Sequence, residues 1–285
     1  MLSLHTNAAA LSAQNSISKT QQNLSTSQTR LSTGYRINSA MDDAAGLQIA
    51  SRLKAQTSGM TVAMRNTANS TSMLQTAEGA LDEVSNMLIR MKDLATQAAD
   101  ASSTDDDKTA MQSEYDALGK ELANVLKNTT FGGKELLVGG TIEDEMTFQI
   151  GASSSEIMEI DLGDDVSSMA ADVSSVTVQY AATGATTGTE LTSSANATIG
   201  SLEDALASVN KVRSGLGAAA NRLEHVYNNL ANISTNTKAA TGQIMDVDFA
   251  SESANMTSNQ MLLQASTAML KQANSQSSMV MSLLQ

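Results

Sequence analysis

"GYRINSAMDDAAGLQIASRL", residues 34–53, stands between two long segments that read as helix. It gathers Arg36, Asp42, Asp43 and Arg52 in a chain of which only 16% is charged. Two adjacent acids with a base on either side admit two readings. In one, the four side chains form ion pairs, within a chain or between copies, that fix the geometry of a link. In the other, Asp42 and Asp43 cap a helix that starts near Ala44, worth about 1 kcal/mol. Under both, the stretch is a joint between helices, and the fold turns on what flanks it.

On its N-terminal side, residues 4–33 read as one helix. Ala10, Ile17, Leu24 and Leu31 recur every seven residues, and Leu4, Ala8 and Leu11 extend the apolar side. The remainder is Ser, Thr, Asn and Gln with little charge, a composition suited to polar helix contacts or a wet channel rather than a free surface. Gly34 is the expected stop. On the other side, residues 44–100 carry Leu53, Met60, Thr67, Leu74, Leu81, Leu88 and Ala95 seven apart. Ala63, Ser70, Ala77, Val84, Met91 and Ala98 follow three behind. That is a sustained coiled-coil stripe, and a continuous helix of this length spans about 80 Å.

"DASSTDDDKTAM" interrupts the pattern, and Thr104 with Asp107 predicts a capping box opening a helix over 105–128. Then the period changes. "TTFGGKELLVGG" is rich in turn residues. "MTFQIG" and "IMEIDL" alternate apolar with polar, with Met158, Ile160 and Leu162 on one side, and predict a β-hairpin. Residues 165–198 are mostly Ser, Thr, Ala and Gly, with a strand expected at "VTVQY" and exposure throughout. Helical period returns at "SLEDALASVNKVRSGLGAAANRLEHVYNNLANI", where Ser201 and Asp204 read as another capping box. After a break at Gly242–Phe249, a last helix over 252–285 places Met256, Leu263, Leu270 and Leu284 on a seven-residue grid. The plan is mirror-like: a helix at each end, a short link, an inner helical zone and a β-patterned middle. Neither terminal helix can bury its stripe alone in water, so the ends must pair with each other or with other copies.

Composition narrows the function. The 285 residues contain no Pro, Cys or Trp, with 41% hydrophobic and 2% aromatic residues, which suits narrow helix seams. A net charge of −13 opposes nucleic-acid binding and docking on anionic lipid. No apolar run is long enough to span a membrane, and the N-terminal residues lack the pattern of a cleaved signal peptide. Without cysteine there is no disulfide or thiol chemistry. His5 and His225 read as incidental. No phosphate loop, zinc spacing or nucleophile elbow appears, and the 100–111 acidic stretch lacks the glycine and final glutamate of a calcium loop. Asn-x-Ser/Thr triplets at Asn128 and Asn196 are expected by chance in so Ser/Thr-rich a chain. The 17 methionines read as seam filler. No catalytic, metal or cofactor site is expected.

"LSTGYRINSAMDDAAGLQIASRL", "TAEGALDEVSNMLIRMKDLATQA" and "MTSNQMLLQASTAMLKQANSQSSMVMSLLQ" closely resemble bacterial flagellins, across about residues 1–140 and 200–285. Gly132, where many members carry Asn, and Gln285, where Arg is frequent, are small departures. The resemblance implies a mainly α protein: a long helical bundle and coiled coil with paired N- and C-terminal helices and a small β-hairpin region, in a short form without large outer domains. It implies a terminal coil from 1–33 and 252–285 lining a filament channel, and spoke linkers at 34–46 and 241–251. An outer zone of 47–164 with 199–240 and a variable exposed region at 165–198 complete the plan. The terminal seam is expected at Ile17, Leu24, Leu31, Met256, Leu263, Leu270 and Leu284, and the spoke contacts at Arg36, Asp42, Asp43 and Arg52.

The function implied is that of a structural subunit polymerising into the extracellular flagellar filament, with no enzyme activity. Implied partners are other copies, the flagellar type III export apparatus and its chaperone, and cap and hook-junction proteins. Arg90, Leu94 and Glu114 match positions at which some flagellins meet the vertebrate Toll-like flagellin receptor. Two rivals share parts of the pattern: a hook–filament junction protein, and a helical chemoreceptor-type signalling rod, which the β-patterned centre opposes.

Overall fold

A computed structural model describes residues 7–181 and 187–282, with side chains through residue 275. Its helices are α1 (Ala8–Thr33), α2 (Ala44–Ala98), α3 (Asp105–Asn128), α4 (Gly163–Val176), α5 (Glu190–Ser193), α6 (Ala195–Met245) and α7 (Phe249–Ser282). Two antiparallel hairpins lie between α3 and α4: β1 (Thr130–Phe131) with β2 (Lys134–Glu135), and β3 (Met146–Gln149) with β4 (Ile157–Ile160). No helix among the described residues is long and apolar enough to cross a membrane. The chain divides into two compact units, one of Met1–Thr57 with Thr235–Gln285 and one of Ser58–Ser234.

The first unit is an antiparallel helix pair and its joint. Asn7 caps α1 by accepting from the Ala10 N–H at 3.1 Å. Gly34, at φ 76°, ends the helix by donating its N–H to the Arg30 carbonyl at 2.9 Å, the left-handed stop expected of glycine. Asn7 Nδ2 donates to the Ala273 carbonyl at 3.1 Å while Arg30 meets Glu252 at the other end, so α1 and α7 run antiparallel. The unit has little core. Among its described residues only Ile37 and Ala50 are fully buried apolar side chains.

The second unit has the core. The predicted stripe of α2 is its spine, with Leu81, Val84, Leu88, Met91 and Ala95 each at 0% exposure. The α6 segment runs antiparallel to it, held at the edges by Lys92–Glu203 (2.9 Å) and Arg213–Asp82 (2.8 Å). On α3, Met111, Tyr115, Leu122 and Leu126 close the bundle. Thr104 and Asp107 form the expected capping box. Gly132 and Gly133, at φ 61° and 85°, make the two-residue turn joining β1 to β2, a backbone region glycine enters without steric cost. Met146, Met158 and Ile160 turn inward from the β3–β4 hairpin, as its alternation predicts.

Three expectations are corrected. Residues 165–176 are not an exposed coil: α4 packs Val166, Met169, Val173 and Val176 into the core at 0% exposure. Their 3-4-3 spacing is a helical signal diluted by the surrounding Ser, Ala and Asp. "VTVQY" is not a strand. Val178–Tyr180 is a 3-10 turn that turns Val178 outward and buries Thr177 and Gln179. Gly119 on α3 permits this approach, since a Cβ there would stand 2.5 Å from Thr177 Oγ1. Finally, α6 begins at Ala195, so Ser201 and Asp204 lie within the helix and form no cap. The several-element second unit with its hairpins is not the single helical hairpin of a signalling rod.

Candidate functional site

The joint between helices is where the opening stretch falls. Residues 34–36 run against 244–247 as a short ladder: Arg36 N–H donates to Met245 O at 2.6 Å and Val247 N–H to Gly34 O at 3.0 Å. Tyr35 and Asp246 form the bridge between them. Arg36 then reaches past the ladder, and its Nη2 donates to Ile244 O at 2.9 Å. That places a cation on the last turn of α6, where exposed carbonyls and the helix dipole favour positive charge.

Asp42 and Asp43 have separate tasks. Asp42 Oδ2 accepts from the N–H groups of Asn38 (3.0 Å) and Ser39 (2.9 Å) and from the Ser39 hydroxyl (3.2 Å), tying the 38–42 turn. Those bonds, first from Ser39 N–H and then from Asn38 N–H, hold its carboxyl below the ordinary value of 3.8. Asp43 Oδ1 accepts from Gly46 N–H at 2.9 Å and caps α2. Ile37 is sealed beneath the turn at 2% exposure, and a Cβ on Gly46 would stand 2.5 Å from Asp43 Oδ2 and 2.8 Å from Ile37 Cδ1, so a larger residue there displaces both side chains. Arg52 is exposed on α2. Among the described residues no ion pair joins Arg36, Asp42, Asp43 and Arg52 within the chain. The adjacent acids serve as turn tie and helix cap, because backbone N–H groups lie closer to them than either arginine does. On the other arm Asp248 accepts from Ala250 N–H (3.0 Å) and Ser251 Oγ (2.8 Å) and opens α7.

Beyond the joint, Ile17, Leu24 and Leu31 of α1 and Met256, Leu263 and Leu270 of α7 are half-buried along the facing sides. Leu284 lies outside the described residues. Outward on the same helices, Leu11 (53%), Leu262 (52%), Met261 (60%) and Met269 (65%) stand in solvent. Sequence reasoning missed the pair Arg30–Glu252, whose N···O separation is 3.7 Å, with Glu252 7% exposed. The signal was a lone acid in the first turn of α7 on the heptad grid of the seam.

On the second unit, Arg90 Nε and Nη2 both donate to Glu114 Oε1, at 2.9 and 2.7 Å, on an exposed face. Leu94 does not share that face. It is 3% exposed in the core, so the three positions do not form one accessible contact patch. The most polar buried set lies between α3 and α5. Gln112 Nε2 donates to Asp116 Oδ1 (3.0 Å) and Glu190 Oε2 (2.8 Å), and Gly188 N–H donates to Asp116 Oδ2 (3.0 Å). Tyr115 OH donates to Val176 O at 2.8 Å, with its ionisation pushed far up by burial and then by the charges of Glu190 and Asp116. This network carries no nucleophile or open acid–base pair. Among the described residues no group of three or more His, Cys, Asp or Glu could hold a metal.

The exposed apolar side chains of α1 and α7 make up a surface open to contact. Comparison with known proteins gives that surface its context. The bacterial flagellin N-terminal helical region matches residues 4–141, and the bacterial flagellin C-terminal helical region matches residues 199–284. A flagellin of Halalkalibacterium halodurans is 41% identical over 255 residues, covering 90% of this chain and 89% of that one. Flagellin A of Vibrio anguillarum is 33% identical, with the whole of both chains covered. Among solved structures, a putative flagellar hook-associated protein from Vibrio parahaemolyticus superposes with a TM-score of 0.54 at 18% identity, over 72% of this chain and 100% of that one, a likeness of fold. The chain belongs to the bacterial flagellin family: it is a structural subunit of the flagellar filament and not an enzyme.

Proposed function

We propose that the terminal unit is the polymerisation element of this filament subunit, with α1 and α7 completed only by neighbouring copies. The carrying observation is its shortage of core. The described residues of that unit bury two apolar side chains, while five large ones on the same helices, Phe249 (57%) among them, stand more than half exposed. A helix pair with so little buried area is not stable alone. Its uncharged Ser, Thr, Asn and Gln faces suit polar packing against sister helices or a wet central channel. Polymerisation supplies the missing burial, at roughly 25 cal/mol per Å² of apolar surface.

The joint at 34–46 and 241–251 is the spoke that sets how this element leaves the rest of the chain. Arg52, exposed and without an ion-pair partner among the described residues, is the residue of the opening stretch available to an acid of a neighbouring copy. The thin core of the terminal unit and the absence of cysteine suit passage through a flagellar export channel with a chaperone on the terminal helices. Growth beneath a cap, from a hook junction, then places the subunit outside the cell. A vertebrate flagellin receptor would meet the exposed Arg90–Glu114 pair, with Leu94 acting through packing.

The decisive experiment adds purified chain to sheared filament seeds under electron microscopy. Full chain elongates them; chain lacking 1–33 and 252–285 does not. Filaments built by the trimmed chain would overturn the assignment of the polymerisation element.

A further inference from the structure

The α1–α7 seam has a register degeneracy. Along α1 the inward positions alternate between large apolar residues (Ile17, Leu24, Leu31) and small or polar ones (Ala13, Thr20, Ser27). Along α7, Met256, Leu263 and Leu270 alternate with Asn259, Ser266 and Ala273 in the same way. Sliding one helix past the other by one heptad, about 10 Å, sets large on large and small on small again. Apolar pattern alone therefore does not select one alignment.

One seam position breaks the repeat. Glu252 belongs to the small and polar series, seven residues before Asn259, and it is 7% exposed. Arg30, beside Leu31, faces it at 3.7 Å. Among the described residues this is the only ion pair of the terminal unit. Arg30 Nε is buried with no hydrogen-bond partner, so the pair is incompletely satisfied. Such a pair selects geometry more than it adds stability.

We propose, resting on the polymerisation reading above, that Arg30 and Glu252 are the positioning residues that fix the register of the terminal coil. Slid one way, Asn259 comes beside Arg30 and Glu252 passes beyond the end of α1. Slid the other way, Glu252 comes beside Asn23 and its carboxylate leaves the Arg30 guanidinium. Both alternatives separate a buried charge from its partner, which the native alignment avoids.

The chain has no cysteine of its own, so introduced thiols report register directly. Asn7→Cys with Ala273→Cys marks the native alignment, and Asn7→Cys with Ser266→Cys the one that sets Glu252 beside Asn23. A short thiol cross-linker is applied to the full chain, both free and in filaments grown from seeds. With Arg30 and Glu252 intact, linkage forms at 273 and not at 266. Arg30→Gln leaves the Glu252 carboxylate buried alone and raises the concentration needed for growth about tenfold. Arg30→Gln with Glu252→Gln recovers growth but links at 266 and 273 to similar extents. The exchange Arg30→Glu with Glu252→Arg restores both growth and linkage at 273 alone. A double-Gln chain that still links only at 273 would overturn the proposal and leave the 34–36 and 244–247 ladder as the register device. Failure of the intact cysteine chain to elongate seeds would instead count against the polymerisation reading, while the free-chain linkage still decides the register.

Discussion

Asp43 shows how much one carboxylate in this joint does. Its bond to Gly46 N–H opens a 55-residue helix, and Asp43→Ala is expected to cost about 1 kcal/mol. The measurement is amide exchange at Gly46 and Leu47, which rises while the distal half of α2 is unaffected. Arg36 acts on a different helix end. Arg36→Met removes the donor to Ile244 O and is expected to fray the last turn of α6 by about 0.3–1 kcal/mol, read the same way at residues 244–246. Asp107 supplies a pH dependence. Its carboxyl is held below 3.8 first by the Thr104 hydroxyl and then by the Thr104 N–H. A lowered value means the capping box contributes fully above 3.8 and loses its contribution as the pH falls below it. Amides of the first turn of α3 are therefore expected to exchange faster only on the acid side, and Asp107→Asn to remove that dependence.

At the scale of elements, periodicity and packing divide the chain differently. The heptads of α2 and the alternation of β3–β4 were legible because each buries one continuous face, and burial imposes its period on the sequence. The 163–194 region was not legible, because its contacts are between segments distant in sequence. Thr177 packs on Gly119, and Glu190 is held by Gln112 and by Val178 N–H. Small residues permit such approaches without announcing them. Gly119→Val is thus expected to displace the Val178–Tyr180 turn and destabilise the second unit by about 1–3 kcal/mol, measured as a lowered midpoint of denaturant unfolding. Gly79, which has open space around it, tolerates Ala with no loss.

For the molecule as a whole, stability is unevenly spread. One unit has a continuous core from Leu74 to Leu223 and the other almost none. Local opening follows core content, so free chain is expected to show fast amide exchange across α1 and α7 and slow exchange over residues 81–98. Assembly into filament should slow exchange in the terminal helices specifically. Equal protection of both units in free chain would contradict the view that the terminal unit is completed by its neighbours.

The sequence by itself determined the long helices, the stop at Gly34 and the start at Thr104, the β3–β4 hairpin and the need of two polar-faced terminal stripes for partners. Each of those depends on local backbone preference or on a face repeated along one segment. Only the tertiary structure decided the roles of the charges. Asp42 and Asp43 turned to backbone N–H groups rather than to Arg36 and Arg52, and Arg36 went to the end of α6. Among the described residues the seam's one ion pair lies instead at Arg30–Glu252, joining residues more than two hundred positions apart. A charged side chain reaches any partner within several ångströms in space, and composition carries no record of which segment the fold will bring there.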